Sequence, residues 1–160
     1  MSIKNSIWVE KYRPHTLDDM ILPERVINKV KNGISNHTLL YGTAGLGKTS
    51  LARIIAKDRS SMYINCSIET GIDTVRNKIT EFCTNIALSF DDSGDRKEKI
   101  VILDEFDGAS DAYFKAMRGA MEQFSSTTKF IATCNFFTKI PDHMKSRFDC
   151  VDFNFGKEEE

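Results

Sequence analysis

The sequence predicts an α/β fold: a mainly parallel, five-stranded sheet with helices on both faces. Three observations carry this. Strand-like apolar runs alternate with helix-period segments along the whole chain. One run, Ile100-Val101-Ile102-Leu103, is unbroken, as suits a strand buried on both faces of a parallel sheet. A glycine-rich stretch, Gly42-Thr43-Ala44-Gly45-Leu46-Gly47-Lys48-Thr49, separates the first apolar run from a helical pattern. That is the strand–loop–helix context of a phosphate-binding loop.

The whole chain sets outer bounds. It has 160 residues, of which 41% are hydrophobic and 28% charged. That is enough for one domain with a real core. Net charge is −1, so no global basic field recruits nucleic acid, and any such contact needs a local patch. Cys66, Cys83, Cys134 and Cys150 are widely spaced beside apolar runs, which reads as reduced, mostly buried thiols and not a zinc site or disulfide framework. No apolar run approaches membrane-spanning length, and the N-terminus has no secretory core. The expectation is an intracellular protein, cytoplasmic or nuclear (host cytoplasm if viral), with no membrane partner. Glu158-Glu159-Glu160 reads as a solvated tail.

The elements follow in order. Residues 1–36 form an N-terminal strap and helix, and 37–155 the core. In Trp8-Val9-Glu10-Lys11-Tyr12-Arg13-Pro14, the proline biases Arg13 toward extended geometry. Pro23 suits a first helical turn, after which Val26, Ile27, Val30 and Ile34 recur at helical spacing. His37 to Tyr41 is the first strand. The helix after the loop runs through Asp58, burying Leu51, Ile54 and Ile55. Met62 to Asn65 is a second strand and Ser67 to Asp73 a loop. Thr74 to Leu88 is a helix with Val75, Ile79, Phe82 and Ile86 as its apolar stripe. Asp91 to Lys99 is a polar surface loop. The run from Ile100 ends in Asp104-Glu105-Phe106-Asp107. A helix spans Asp111 to Phe124, with Phe114, Met117 and Met121 inside. Lys129 to Cys134 is a strand ending at Asn135. A short helix starts at Ile140-Pro141 and runs to about Arg147, and Cys150 to Phe155 is the last strand.

In such a sheet, ligands gather at the carboxyl ends of the strands. The loop, Asp104-Glu105 and Asn135 all fall there. Gly42, Gly45 and Gly47 allow positive φ, so that consecutive N–H groups form an anion nest at a helix N-terminus. Lys48 would meet the β- and γ-phosphates, and the Thr49 hydroxyl would ligate Mg²⁺. Asp104 is placed to hold Mg²⁺ directly or through water. Glu105 can orient an attacking water or take its proton. Asn135 can hydrogen-bond the γ-phosphate or that water, although a turn residue is an equal reading. Together these groups imply hydrolysis of a nucleoside triphosphate. A further transition-state cation is wanted, and Arg147 is the candidate, in cis or from a neighbouring molecule. From spacing alone it serves equally as a surface arginine at a helix C-terminus.

With these residues placed, a family resemblance becomes specific. The strap, the phosphate loop, Asp104-Glu105-Phe106-Asp107, Thr133-Cys134-Asn135 and Ser146-Arg147 occur in the order seen in sliding-clamp loader ATPases of the AAA+ class. The chain resembles the replication factor C small subunits and the clamp-loader ATPase of T-even bacteriophages over about residues 8–153. The resemblance implies a three-layer P-loop fold with ATP and Mg²⁺ as cofactors. Lys48 and Thr49 would be the Walker A pair, Asp104 and Glu105 the Walker B metal aspartate and catalytic glutamate, and Asn135 the sensor-1 residue. Tyr12 and Arg13 would lie against adenine, and Gly42, Thr43, Ala44, Gly45, Leu46, Gly47, Lys48, Thr49 and Ser50 would line the phosphates. Arg147 would act in trans on ATP held by the next subunit. Thr74 and Arg76 would contact the backbone of primer–template DNA, fixing register without reading sequence. The implied partners are other loader subunits in a ring, a sliding clamp and DNA.

Two departures qualify the resemblance. Phe148 stands where the family usually has Cys after the Ser-Arg pair. The family's lid, with its sensor-2 arginine, and its helical collar have no counterpart here, so the expectation is weak nucleotide binding and poor assembly by this domain alone. The intact Lys48, Thr49, Asp104 and Glu105 disfavour a non-hydrolysing scaffold. The strap, Asn135 and Arg147 disfavour a small-molecule kinase. A helicase or helicase loader is the alternative within the class.

Overall fold

The computed structural model describes residues 12–31, 34–85 and 98–155. Trp8 to Lys11 of the strap, Gly33, Ile86 to Leu88, most of the polar stretch before Lys99 and the acidic tail lie outside the described residues.

Among the described residues, five strands form one parallel sheet: β1 (Thr38–Tyr41), β2 (Ser61–Asn65), β3 (Lys99–Asp104), β4 (Thr128–Cys134) and β5 (Asp149–Asp152). Their spatial order is β2-β3-β4-β1-β5. The helices are α1 (Glu24–Lys31), α2 (Lys48–Ala56), α3 (Ile72–Thr84), α4 (Asp111–Phe124) and α5 (Asp142–Lys145). Short 3₁₀ turns at Leu17–Asp19, Phe106–Gly108 and Phe137–Lys139 were not legible in the pattern.

Side-chain alternation along the strands divides the core into two layers. Val101, Leu103, Phe130, Ala132 and Leu39 pack with Val75 and Ile79 of α3 and with Phe114, Met117 and Met121 of α4. Ile100, Ile102, Ile131 and Leu40 point the other way, onto Val26 of α1 and Leu51, Ala52 and Ala56 of α2. The fold is therefore three-layered, α/β/α, and every residue of β3 is buried.

The element bounds shift where local chemistry overrides the hydrophobic pattern. α2 starts at Lys48 because Gly47, at φ 87°, is its N-cap and accepts from Leu51 N at 2.9 Å. Its buried face runs through Leu51, Ala52 and Ala56, while Ile54 and Ile55 are half-buried. α3 starts at Ile72, two residues earlier than the pattern suggests. Lys99 is not in a surface loop. It opens β3, is 4% exposed, and donates to the carbonyls of Phe82 at 2.6 Å and Cys83 at 3.1 Å, and to that of Asn85. A lysine here satisfies the orphan carbonyls at the end of α3, which the 3.6-residue period cannot reveal. β5 ends at Asp152, where the Asp152 carboxylate accepts from Asn154 N at 2.9 Å and turns the chain.

The strand order positions the site. From β1 the chain crosses to the far edge at β2, returns through β3 and β4, and then passes to β5 beyond β1. The reversal leaves a crevice at the carboxyl ends of β1 and β4. Thr133 becomes the neighbour of Asp104, one step beyond the Leu103–Ala132 register pair.

Candidate nucleotide-binding site

Gly42, Gly45 and Gly47 all adopt positive φ. At Gly42 the reason is also steric: a Cβ there would lie 3.1 Å from Phe153 Cβ. The loop is tied to the end of β5 by Asn154, whose Oδ1 accepts from Thr43 N at 3.0 Å and from Thr43 Oγ1 at 2.9 Å. Lys48 is 6% exposed and curls back to donate to the Gly42 carbonyl at 2.8 Å and the Thr43 carbonyl at 2.7 Å. Burial pulls its ammonium below the ordinary lysine value, while the charges of Asp107 and Asp104 oppose that pull.

Asp104 collects three hydroxyls. Thr49 Oγ1 and Thr133 Oγ1 donate to its Oδ1 at 2.7 and 2.5 Å, and Tyr63 OH donates to its Oδ2 at 2.6 Å. Burial alone would raise this carboxyl, but the donors outweigh it and hold the group below the usual aspartate value. Glu105 follows in the left-handed region at φ 53°, the only such non-glycine among the described residues. Its N–H meets Thr133 Oγ1 at 3.2 Å. Asp107 accepts from the backbone N–H groups of Asn135 at 3.3 Å and Phe136 at 2.9 Å, fixing the turn that carries Asn135.

Ala44, Gly45, Gly47, Lys48, Thr49, Ser50, Asp104, Glu105 and Asn135 all line one cavity of about 340 Å³. A second cavity of about 450 Å³ is lined by Tyr12, Arg13, Met20 and Ile21, and shares Gly45, Gly47 and Ser50 with the first. The strap residues thus adjoin the loop on its flank, and Leu46 lines the same cavity. Tyr63, Thr133, Asp107 and Asn154 complete the site and were missed. Asp107 stands in the quoted Asp-Glu-Phe-Asp run, and Thr133 two residues before Asn135, but Tyr63 and Asn154 carry no spacing signal.

Arg147 is elsewhere. Asp149 pairs with Thr38 at the start of β1, and Asp149 N donates to the His37 carbonyl at 2.8 Å. Arg147 therefore sits at the amino ends of the strands, opposite the phosphate loop, in a cavity with His37, Lys129 and Ser146. Its guanidinium lies 2.5 Å from Glu122 Oε1, which Arg118 shares at 3.3 Å. Its Nε is buried without a hydrogen-bond partner. Arg76 is exposed on α3 and pairs loosely with Asp73 at 3.9 Å. The side chain of Thr74 lies outside the described residues.

With this geometry in view, the comparisons with known proteins are specific. Residues 38–155 match the family described as "ATPase family associated with various cellular activities (AAA)". The chain belongs to the AAA family. Membership implies a nucleotide site, and the phosphate loop and Asp104-Glu105 lie within the matched span. Among curated relatives, the chain is similar to the replication factor C small subunits of Natronomonas pharaonis, 39% identical over 94% of this chain and 47% of that protein, and of Haloarcula marismortui, 37% identical over 96% and 48%. The corresponding protein of Thermofilum pendens is 34% identical over 96% and 48%. The chain spans about half the length of these relatives. Among solved structures, RuvB of Thermotoga maritima superposes with a TM-score of 0.65 at 19% identity, over 90% of this chain and 49% of that one, which is a likeness of fold. Among the described residues no helix is long and apolar enough to cross a membrane.

Proposed function

We propose that this AAA domain binds and hydrolyses ATP as part of a sliding-clamp loader, using ATP to place a clamp on primer–template DNA. The observation that carries the hydrolytic reading is the single cavity shared by Lys48, Thr49, Asp104, Glu105 and Asn135. The replication factor C relatives support the assignment to clamp loading.

The residues fit a Mg²⁺–triphosphate ligand. A hydroxyl and a carboxylate 2.7 Å apart are hard oxygen donors of the kind Mg²⁺ takes, with water and phosphate oxygens completing the shell. Bound there by Thr49 and Asp104, Mg²⁺ would neutralise charge on the phosphates. Lys48 exchanges its two loop carbonyls for phosphate oxygens. The glycine-supported N–H groups hold the triphosphate at the start of α2, where the helix dipole favours anions. Glu105 lines the same cavity and orients water in line with the γ-phosphate, taking its proton as the water oxygen bonds to the γ-phosphorus and the P–O bond to ADP breaks, releasing phosphate and ADP. Asn135 donates to the γ-phosphate or that water. Tyr12 and Arg13 receive the base from the adjoining cavity.

Arg147 serves a neighbouring subunit. This reading is supported by its place at the opposite end of the sheet from its own loop. DNA contact by Thr74 and Arg76 is supported by the start of α3 and by the loose, solvent-exposed Arg76–Asp73 pair, which exchanges readily for a phosphate. The test is ATP turnover with and without primer–template DNA and a candidate clamp. Stimulation by both DNA and clamp is the expected result. Turnover indifferent to the clamp would point to another AAA motor.

A further inference from the structure

Tyr63 has no part in the sequence motifs, yet it reaches the carboxylate that the proposed metal site depends on. β2 is an edge strand, and Tyr63 is opposite Ile102, two residues before Asp104 on the same face. Two residues of strand advance about 6.6 Å. The phenol spans that step and donates to Asp104 Oδ2 at 2.6 Å. Its ring is covered by the Arg53 guanidinium, 4.6 Å from the centroid. Arg53 and Thr49 are four residues apart on α2, hence on one helical face. The result is a closed circuit. α2 meets Asp104 once directly, through Thr49, and once indirectly, through Arg53 and Tyr63.

We infer that Tyr63 is a positioning residue for divalent-metal binding, fixing which lone pair Asp104 presents to the site; this rests on the Mg²⁺-nucleotide reading above. An ionised carboxylate has about four acceptor positions. Thr49 and Thr133 occupy both positions on Oδ1, and Tyr63 occupies one on Oδ2. One acceptor position is left, on Oδ2. Carboxylate torsions are broad and roughly two-fold, so the two threonines anchor Oδ1 without fixing the swing of Oδ2. The Tyr63 hydroxyl supplies the second anchor. With it, Asp104 offers one directed lone pair to a metal ion or its water, as suits an ion demanding near-ideal octahedral geometry. Without it, Asp104 offers two undirected ones.

The test is a titration of the full chain with MgCl₂ while following binding of a fluorescent ATP analogue. In Tyr63→Phe, the half-saturating Mg²⁺ concentration is expected to rise about 10-fold, the lower end of outer-sphere substitutions at metal sites. Nucleotide affinity in EDTA should stay at the wild-type value. Arg53→Gln should shift the Mg²⁺ midpoint in the same direction by less. An unchanged midpoint in Tyr63→Phe would overturn the inference, as would an equal loss of affinity in EDTA, which would mark Tyr63 as packing only. A wild-type chain that binds nucleotide without responding to Mg²⁺ would remove the metal-site reading as well. A responsive wild type with a superimposable Tyr63→Phe curve removes only the part assigned to Tyr63.

Discussion

Glu105 holds a backbone conformation that disfavours its own residue type. The left-handed region costs a non-glycine residue about 1–2 kcal/mol, and such strain collects where a site over-determines it. Glu105→Gly should therefore raise the thermal midpoint while abolishing turnover, whereas Glu105→Gln should keep ATP binding and lose turnover without that gain. Calorimetry and phosphate release check both. Lys48→Ala removes the only buried cation at the loop among the described residues, and ATP affinity measured by titration should fall beyond detection. His37 gives a pH prediction. Its Nδ1 accepts from Phe130 N at 3.1 Å, and its ring packs edge-on against Phe130 and Phe148. Burial lowers its pKa, as does the nearby Lys129 charge, while the Met121 carbonyl and Glu98 oppose the shift. The unfolded chain thus takes up the proton first. Stability should be lost as pH falls through about 6.5 and below. Thermal melts between pH 8 and 5 on wild type and His37→Gln should show that acid-side slope in the wild type and its reduction in the variant.

At the scale of elements, Lys99 shows what a hydrophobic pattern omits. A charged residue following Arg96, Lys97 and Glu98 reads as the end of a polar loop, yet its stem enters the core and its ammonium closes α3 on three carbonyls. The cause is tertiary: those carbonyls belong to residues at least 14 positions earlier. Lys99→Met keeps the volume and removes the donors, and should destabilise the chain by about 2–3 kcal/mol, read by urea denaturation. The central strands β1, β3 and β4 were legible, because burial on both faces writes apolar runs. The convergence of Lys48, Thr49, Asp104 and Glu105 on one cavity was legible too, because a glycine-rich loop and a strand end are local features of the chain. Tyr63 and Asn154 were not, since each reaches the site across the sheet and nothing in their neighbours' spacing records that reach.

At the scale of the whole molecule, the order of motifs along the chain conceals their distribution in space. Asn135 and Arg147 are 12 residues apart in sequence. The first borders the phosphate loop, and the second lies at the other end of the sheet. Arg147→Ala should leave ATP affinity of its own chain near the wild-type value and lower turnover in mixed assemblies in proportion to the share of variant chains. Turnover of such mixtures against a fixed amount of wild type checks this, and no dependence on composition would remove the trans role. The ion pair with Glu122 adds a second expectation. Glu122→Gln frees Arg147, so turnover at low protein concentration should rise relative to wild type, as measured by a dilution series.

The opposed ends of the parallel sheet also bear on symmetry. Under the trans role proposed for Arg147, the pocket and the arginine are two different patches on opposite poles, and copies that join through them head to tail make a heterologous contact. Two copies joined in that way would complete a single site and leave the other open, and a line of them would end in one unfinished pocket. Among head-to-tail assemblies a closed circle would finish them all, so the number of working sites would depend on whether the assembly's pitch is flat or helical.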